Sequence, residues 1–104
     1  MAKSFRNQVV LITGGASGIG RRMALEFAQQ GAKLVLWDIH QGRLDETVAE
    51  ISGVSPHQAY GFVCDISNRQ AVYETAKQVE EAVGPVDILV NNAGVSLHRL
   101  ALET

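Results

Sequence analysis

The sequence of 104 residues is poor in cysteine, in long apolar runs and in excess charge of either sign. Its single cysteine, Cys64, excludes a disulfide framework and a four-cysteine metal site. Cys64 lies in an apolar run, so we interpret it as a small core residue. The longest apolar runs hold about five residues, far fewer than the roughly 20 that a membrane-spanning helix needs. Residues 1–7 also lack the apolar centre of a signal peptide.

The charge and composition exclude further classes of function. A formal net charge of −2 at pH 7 provides no basic surface for nucleic acid. Hydrophobic residues make up 46% of the chain and charged residues 19%, which is typical of a globular protein. We therefore expect one domain over residues 1–104, located in the cytoplasm, with no membrane span and no metal site.

What the sequence does contain is an alternation of short apolar strands and amphipathic helices. The strand patterns fall at residues 9–12, 33–38, 60–64 and 86–90. The first helix pattern begins near Ile19 and ends at Gly31. Ser67 and Gln70 have the spacing of a capping box, which predicts the start of the third helix. The apolar stripes of the three helices are Ile19, Met23 and Phe27; Leu44, Val48 and Ile51; and Val72, Ala76, Val79 and Val83.

This order predicts the α/β class, with a β-α-β-α-β-α-β chain. Right-handed crossovers would give a parallel sheet covered by helices on both faces, a Rossmann-like doubly wound fold. In the strand order 3-2-1-4 the first and fourth strands are neighbours. The turns that follow these two strands would then meet at the carboxyl ends of the strands, and a ligand would lie between them.

The turn after the first strand, Thr13–Gly20, has the glycine spacing G-x-x-x-G-x-G. A strand, a glycine turn and a helix N-terminus in this order favour an anion, because free N–H groups point outward there. Gly14 permits a sharp turn, Gly18 leaves room for a diphosphate, and Gly20 allows close packing. A phosphate loop of the ATPase type is excluded, because Arg21-Arg22 stands where Lys and Ser or Thr would be needed.

Asp38 ends the second strand pattern, 18 residues beyond Gly20. A carboxylate at this point can accept hydrogen bonds from both hydroxyls of an adenosine ribose and would repel the phosphate of NADP. Ile39 and His40 follow it, so no Lys or Arg comes directly after to offset that repulsion. NAD is therefore the favoured cofactor. The alternative is a strand-end aspartate that caps the next helix.

Thr13–Gly20, Asp38, Asp65 and the turn Asn91–Gly94 together resemble the short-chain dehydrogenase/reductase family. The resemblance covers essentially the whole chain, with all four signals in the family's order. Residues 33–39, 62–79 and 86–95 look most like the branch that acts on retinols and hydroxysteroids. Members of that branch often carry an apolar N-terminal anchor, which residues 1–7 do not resemble.

The resemblance implies roles for the matching residues. The diphosphate and its ribose would be held by Gly14, Ser17, Gly18, Ile19 and Gly20. On the adenosine side, Asp38 and Ile39 would hold the ribose region, and Asp65 would reach the adenine amino group with the Ile66 backbone beside it. Asn92, Ala93 and Gly94 would line the nicotinamide-side ribose, while Asn91 would brace the sheet.

The family's catalytic Ser and Tyr-x-x-x-Lys come many tens of residues after the Asn-Asn-Ala-Gly turn, whereas this sequence ends ten residues after Gly94. We therefore expect the cofactor-binding part only, truncated after the fourth strand, and predict no catalytic residue within it. Tyr73 and Lys77 match the motif by spelling, but they lie on the third helix and are interpreted as surface residues. Ser96 and His98 are interpreted as loop residues beside the substrate space.

The leading hypothesis is the NAD-binding part of a dehydrogenase that transfers hydride between NAD(H) and an alcohol or ketone. The complete protein would be a homo-oligomer, as is common in the family. One alternative is a non-catalytic dinucleotide sensor or regulatory subunit. Another is a methyltransferase-type fold that binds S-adenosylmethionine, although Asn91–Gly94 does not fit that class.

Overall fold

The computed structural model describes residues 5–54 and 58–92. Strands and helices alternate along the chain as the apolar periodicity predicts. The elements are β1 (Val9–Thr13), α1 (Gly18–Gln29), β2 (Lys33–Asp38), α2 (Gln41–Val54), β3 (Ala59–Val63), α3 (Arg69–Ala82) and β4 (Ile88–Asn91).

The four strands form one parallel sheet in the order β3-β2-β1-β4. In its register, Thr13 at the end of β1 lies between Trp37 of β2 and Asn91 of β4. The predicted Rossmann-like α/β fold and strand order are therefore confirmed. The order reverses between β1 and β4, and open sheets of this kind bind ligands at such a switch point.

Alternate residues of β1 and β2 build two separate cores, one on each face of the sheet. On the face covered by α1 and α2, the core includes Val10, Ile12, Leu34 and Leu36, all with no exposed surface. The face covered by α3 has a smaller core, made of Val9, Leu11, Val35, Trp37, Cys64 and Val79. Cys64 is buried as predicted. Helices on both faces explain why β2 is apolar almost throughout.

Every residue of the buried stripe of α1 lies one position later in the sequence than predicted. Ile19, predicted to be buried, is 71% exposed. The residues of α1 that are buried are Gly20, Ala24 and Ala28. Small side chains at steps of four let the helix axis approach the sheet closely, while the larger side chains of Met23 and Phe27 pack only partly against the core.

The start and the buried face of α3 also differ from the prediction. The N-cap is Asn68, whose side-chain oxygen accepts a hydrogen bond from the Ala71 N–H at 3.0 Å, so the predicted Ser67–Gln70 capping box is wrong. This helix buries Thr75 and Val79, whereas Ala76 is exposed. The threonine occupies a core position, and hydrophobic periodicity alone does not identify it.

The outer strands begin and end one or two residues away from the predicted bounds. Before β4, the Asp87 carboxylate accepts a hydrogen bond from the Val9 N–H at 2.8 Å, so a side chain takes the place of a strand carbonyl. Along β3 and β4, buried or half-buried residues alternate with exposed ones, as expected of edge strands. Within the described residues, no helix is long and apolar enough to cross a membrane.

Candidate functional site

A cleft of about 460 Å³ lies at the carboxyl ends of the strands, where β1 and β4 meet. Seven residues predicted to bind the cofactor line it, namely Gly14, Ser17, Asp38, Ile39, Asp65, Ile66 and Asn92. Gly18, Ile19 and Gly20 are not in the lining and form the first turn of α1 next to it. The predicted residues Ala93 and Gly94 lie outside the described residues.

The glycine turn is fixed to the sheet by backbone hydrogen bonds. The N–H groups of Gly14 and Gly15 both donate to the Trp37 carbonyl oxygen, at 2.7 and 3.2 Å. Gly14 has φ +66°, a left-handed conformation that favours glycine, as the sharp turn requires. The turn therefore has its shape before any ligand binds.

Two further glycines are required by the packing around this turn. A Cβ on Gly20 would overlap the Gly14 carbonyl oxygen and lie 2.5 Å from Asn92 Nδ2. Gly20 thus permits a close approach of α1 to the turn. The sequence had predicted that Gly20 would allow close packing of the helix on the strand. A Cβ on Gly15 would lie 2.9 Å from the Leu36 side chain. Gly15 was missed because it matches no position of the binding motif.

Gly18 differs from these glycines because the space beside it is open. Its φ is +54°, and a Cβ there would have no atom within 4 Å among its surroundings. The same turn leaves the Ser17 side chain without a capping hydrogen bond to the helix. The helix therefore does not use the Ser17 hydroxyl, and its first N–H groups have no partner within the helix, an arrangement that fits a diphosphate.

Asp38 is 6% exposed, and both of its carboxylate oxygens accept backbone hydrogen bonds. Oδ2 accepts from the Ala16 N–H at 3.2 Å, and Oδ1 accepts from the His40 N–H at 3.1 Å. The bond to His40 closes a local turn before α2, which begins at Gln41, so it does not cap a free N–H of that helix. A carboxylate has about four acceptor positions, so each oxygen keeps one for a ribose hydroxyl. The ribose role of Asp38 stays a prediction.

Asp65 is exposed and lines the cleft after β3, the strand next to the one that Asp38 ends. The Ser67 hydroxyl donates to Asp65 Oδ1 at 2.6 Å, and the Ser67 N–H donates to the same oxygen at 3.0 Å. Both hydrogen bonds stabilise the charged form and hold the pKa of Asp65 below its ordinary value, the hydroxyl having the larger effect. The carboxylate is therefore kept ionised, as an acceptor for an amino group must be.

Thr13 and Asn92 join the turns that follow β1 and β4. The Thr13 hydroxyl donates to the Val90 carbonyl oxygen at 3.4 Å and accepts from the Asn92 N–H at 3.0 Å. Asn92 Nδ2 donates to the Gly14 carbonyl oxygen at 3.3 Å. We assigned this bracing to Asn91; the side-chain bonds described here belong to Thr13 and Asn92 instead, while Asn91 pairs with Thr13 through the β1–β4 register.

Sequence reasoning missed five residues that line the cleft, Trp37, His40, Arg43, Cys64 and Ser67. All are near Asp38 or Asp65 in the chain, so proximity to the strand ends was an available signal. Arg43 is the most relevant to charge, because it adds a cation to the lining that contains Asp38 and Asp65. Tyr73 and Lys77 line a separate shallow surface on α3, which agrees with rejecting them as a catalytic pair. The described residues contain no group of side chains able to hold a metal ion.

Comparison with known proteins identifies related sequences and structures. The model of the short chain dehydrogenase family matches residues 8–104. Estradiol 17-beta-dehydrogenase 11 of Macaca fascicularis is 52% identical over 93 residues, covering 89% of this chain and 31% of the relative. Epidermal retinol dehydrogenase 2 of Mus musculus is 44% identical over 101 residues, covering 97% of this chain and 33% of the relative.

A solved structure resembles this chain closely in three dimensions. A metagenomic short-chain oxidoreductase in complex with NADP superposes with a TM-score of 0.82 and 36% identity, covering 88% of this chain and 41% of that one. Compared with the two sequence relatives described above, the chain spans about a third of their length.

Proposed function

The chain belongs to the short-chain dehydrogenase family, and on that premise we propose that its described residues bind NAD in preference to NADP. The supporting observation is that one cleft brings together the glycine turn, Asp38 and Asp65. These three features come from three different strand ends and meet only because the sheet has the order β3-β2-β1-β4. The methyltransferase interpretation is excluded by the family.

In this proposal the glycine turn holds the diphosphate with backbone groups. The first N–H groups of α1 carry partial positive charge, and no acidic residue occupies the first turn of that helix to oppose an anion. Arg21 forms a 2.6 Å ion pair with Glu50, which offsets part of its charge. Ser17 adds a hydroxyl that the helix does not use.

The preference for NAD follows from the fixed position of Asp38. Its carboxylate is held at the cleft wall by the N–H groups of Ala16 and His40, and its remaining acceptor positions fit the two hydroxyls of the adenosine ribose. A 2′-phosphate would place a second negative charge beside it, and like charges at short range are unfavourable. Asp65, which also lines the cleft, would accept a hydrogen bond from the adenine amino group.

The bound nicotinamide would exchange hydride with an alcohol or ketone in the complete protein. Among the first substrates to test are steroid and retinoid alcohols, since relatives are named for estradiol and retinol.

We assign no catalytic residue within 1–104: Tyr73 and Lys77 are on α3, away from the cleft. The alternative of a non-catalytic sensor has no support among these relatives. Homo-oligomerisation and a cytoplasmic location stay predictions.

Calorimetric titration of the purified chain tests the proposal. We expect NAD to bind at least tenfold more tightly than NADP, equivalent to about 1.4 kcal/mol, and S-adenosylmethionine not to bind. Equal affinity for NAD and NADP would contradict the assignment of Asp38. Absence of any dinucleotide binding by the folded chain would contradict the proposed function.

A second measurement concerns catalysis. A positioned acid or base typically contributes about 10²- to 10⁴-fold in rate, and no residue that lines the cleft matches the family's catalytic Ser, Tyr or Lys. The chain alone should therefore show no NADH absorbance change above background with steroid, retinoid or short alcohols. Turnover that disappears in Tyr73→Phe would contradict this expectation and make the α3 pair the active site.

A further inference from the structure

We propose that Ser67 is a positioning residue, which orients the Asp65 carboxylate and thereby sets the preference of the cleft for adenine over hypoxanthine. The inference rests on the proposed function, because it concerns how the base of the bound dinucleotide is recognised. It goes beyond the role assigned to Asp65, since the selectivity of that carboxylate is derived from a neighbouring side chain that the binding motif does not include.

The two carboxylate oxygens of Asp65 differ in the hydrogen bonds that they accept. Both donors of Ser67, its hydroxyl at 2.6 Å and its backbone N–H at 3.0 Å, reach Oδ1. Within residues 5–54 and 58–92, no hydrogen bond is directed to Oδ2. A carboxylate oxygen accepts about two hydrogen bonds. The acceptor positions of Oδ1 are therefore filled by Ser67, and Oδ2 is the oxygen left for a ligand.

Asp65 depends on this anchoring because its side chain is exposed. Asp38, by contrast, is buried, and the packing around it restricts its side chain in addition to two backbone N–H donors. An exposed carboxylate without such packing exchanges between rotamers in water. The Ser67 hydroxyl restricts that exchange, and it is the one donor to Asp65 that a substitution can remove without changing the backbone.

Ser67 itself is held by the start of α3. The next residue, Asn68, is the N-cap of that helix and accepts the Ala71 N–H with its side chain at 3.0 Å. The Asn68 N–H also donates to the backbone carbonyl oxygen of Asp65 at 3.0 Å, which closes the turn over residues 65–68. The helix start therefore sets the position of Ser67, and Ser67 sets the direction of the carboxylate.

The direction of this carboxylate matters because purine bases differ at one position. Adenine has an amino group there, which donates a hydrogen bond, whereas hypoxanthine has a carbonyl oxygen, which accepts. An ionised carboxylate held with Oδ2 toward that position stabilises adenine and opposes hypoxanthine. A carboxylate free to rotate can instead accept the ring N–H of hypoxanthine beside that carbonyl, so it discriminates poorly between the two bases.

Calorimetric titrations of NAD and of nicotinamide hypoxanthine dinucleotide test this role. The wild-type chain should bind NAD roughly fivefold or more tightly than the hypoxanthine analogue, because the amino group donates to a charged acceptor. In Ser67→Ala the ratio should fall below about twofold, chiefly through weaker binding of NAD. Ser67→Thr keeps a hydroxyl at the same point of the turn and should restore most of the ratio. Circular dichroism checks that each variant is folded.

Two further variants separate a role through Asp65 from a general effect on binding. Ser17→Ala removes the same group from the other serine that lines the cleft, at the expected diphosphate, so it should weaken both dinucleotides equally. Asp65→Ala should abolish the base preference, and adding Ser67→Ala to it should change the ratio no further.

An unchanged ratio in folded Ser67→Ala would overturn the inference, as would a further change of the ratio when Ser67→Ala is added to Asp65→Ala. Equal binding of the two dinucleotides by the wild-type chain would also overturn it, while the binding of NAD would leave the proposed function intact. Absence of NAD binding by the folded wild-type chain would overturn both.

Discussion

The two halves of the cleft are built in different ways. In the diphosphate half, backbone groups of the glycine turn are fixed by contacts among Gly14, Gly20 and Asn92. The adenosine half presents side chains instead, with Asp65 and Arg43 exposed on its walls. A substitution at Gly20 therefore changes the fold and the binding together, whereas substitutions at exposed positions of the second half can change ligand preference without altering the sheet.

Asp38 links the two halves. It belongs to the adenosine wall, yet its Oδ2 accepts the Ala16 N–H from the glycine turn. It is also buried, unlike Asp65. The comparison thus predicts that the two aspartates of the cleft, similar in expected ligand contacts, differ in their importance for stability.

The largest effect is expected at Gly20. Alanine normally stabilises a helix interior over glycine by about 1 kcal/mol, but here its Cβ would overlap the Gly14 carbonyl oxygen. We expect Gly20→Ala to destabilise the chain by about 3 kcal/mol in urea unfolding. Gly42→Ala in α2 is the control, because a Cβ there meets no atom within 4 Å, and it should be neutral or stabilising. Equal stability of Gly20→Ala and Gly42→Ala would contradict the claim that close contacts of Gly20 fix the diphosphate half.

Replacement of each aspartate tests whether Asp38, unlike Asp65, stabilises the fold by connecting the two halves. Asp38→Ala leaves the N–H groups of Ala16 and His40 without their acceptor, so we expect a loss of about 2 kcal/mol in unfolding free energy. Asp65→Ala should cost clearly less than Asp38→Ala because Asp65 is exposed. Adding Ile39→Arg to Asp38→Ala should shift the ratio of affinities toward NADP. Similar destabilisation by both aspartate substitutions would contradict the structural role of Asp38.

Much of this arrangement follows from the sequence, and the missed parts have physical causes. The sheet order and the positions of Asp38 and Asp65 follow from apolar periodicity and from where strands end. The capping role of Asn68 depends on which of two neighbouring polar side chains accepts the helix N–H, and the buried face of α1 depends on which small residues contact the sheet. Arg43 was missed because it matches no position of the binding motif, although its closeness to Asp38 in the chain was an available signal.

Gly18 tests the open side of the diphosphate half. Gly18→Val has space for its side chain, but it introduces a β-branched residue at φ +54°, which costs about 1–2 kcal/mol. The side chain would occupy the space proposed for the diphosphate, so NAD affinity should fall at least about tenfold in the folded variant. Gly84→Val is the matched control, with φ +119° and open space at the end of α3; it should be strained without losing NAD affinity. Unchanged affinity in folded Gly18→Val would place the diphosphate elsewhere.

The smallest effect is expected at Ser67. Ser67→Ala removes the hydroxyl that contributes most to lowering the pKa of Asp65, so that pKa should rise toward its ordinary value. The lowered pKa adds stability above the ordinary titration range of aspartate, and this is lost as the pH falls through the lowered value. Carboxyl-carbon NMR titration measures the shift. A pKa that stays unchanged in Ser67→Ala would show that the hydroxyl does not stabilise the carboxylate.

Backbone amide NMR of the labelled chain during titration with NAD tests the central claim most directly. If one cleft holds the whole dinucleotide, saturable shift changes should appear together in the glycine turn (14–20), at Asp38 and at Asp65. The amide of Arg6, which precedes β1 at the amino end of that strand, should be unaffected. Saturating NAD that leaves these amides unchanged, or that instead perturbs the α3 surface around Tyr73 and Lys77, would contradict it.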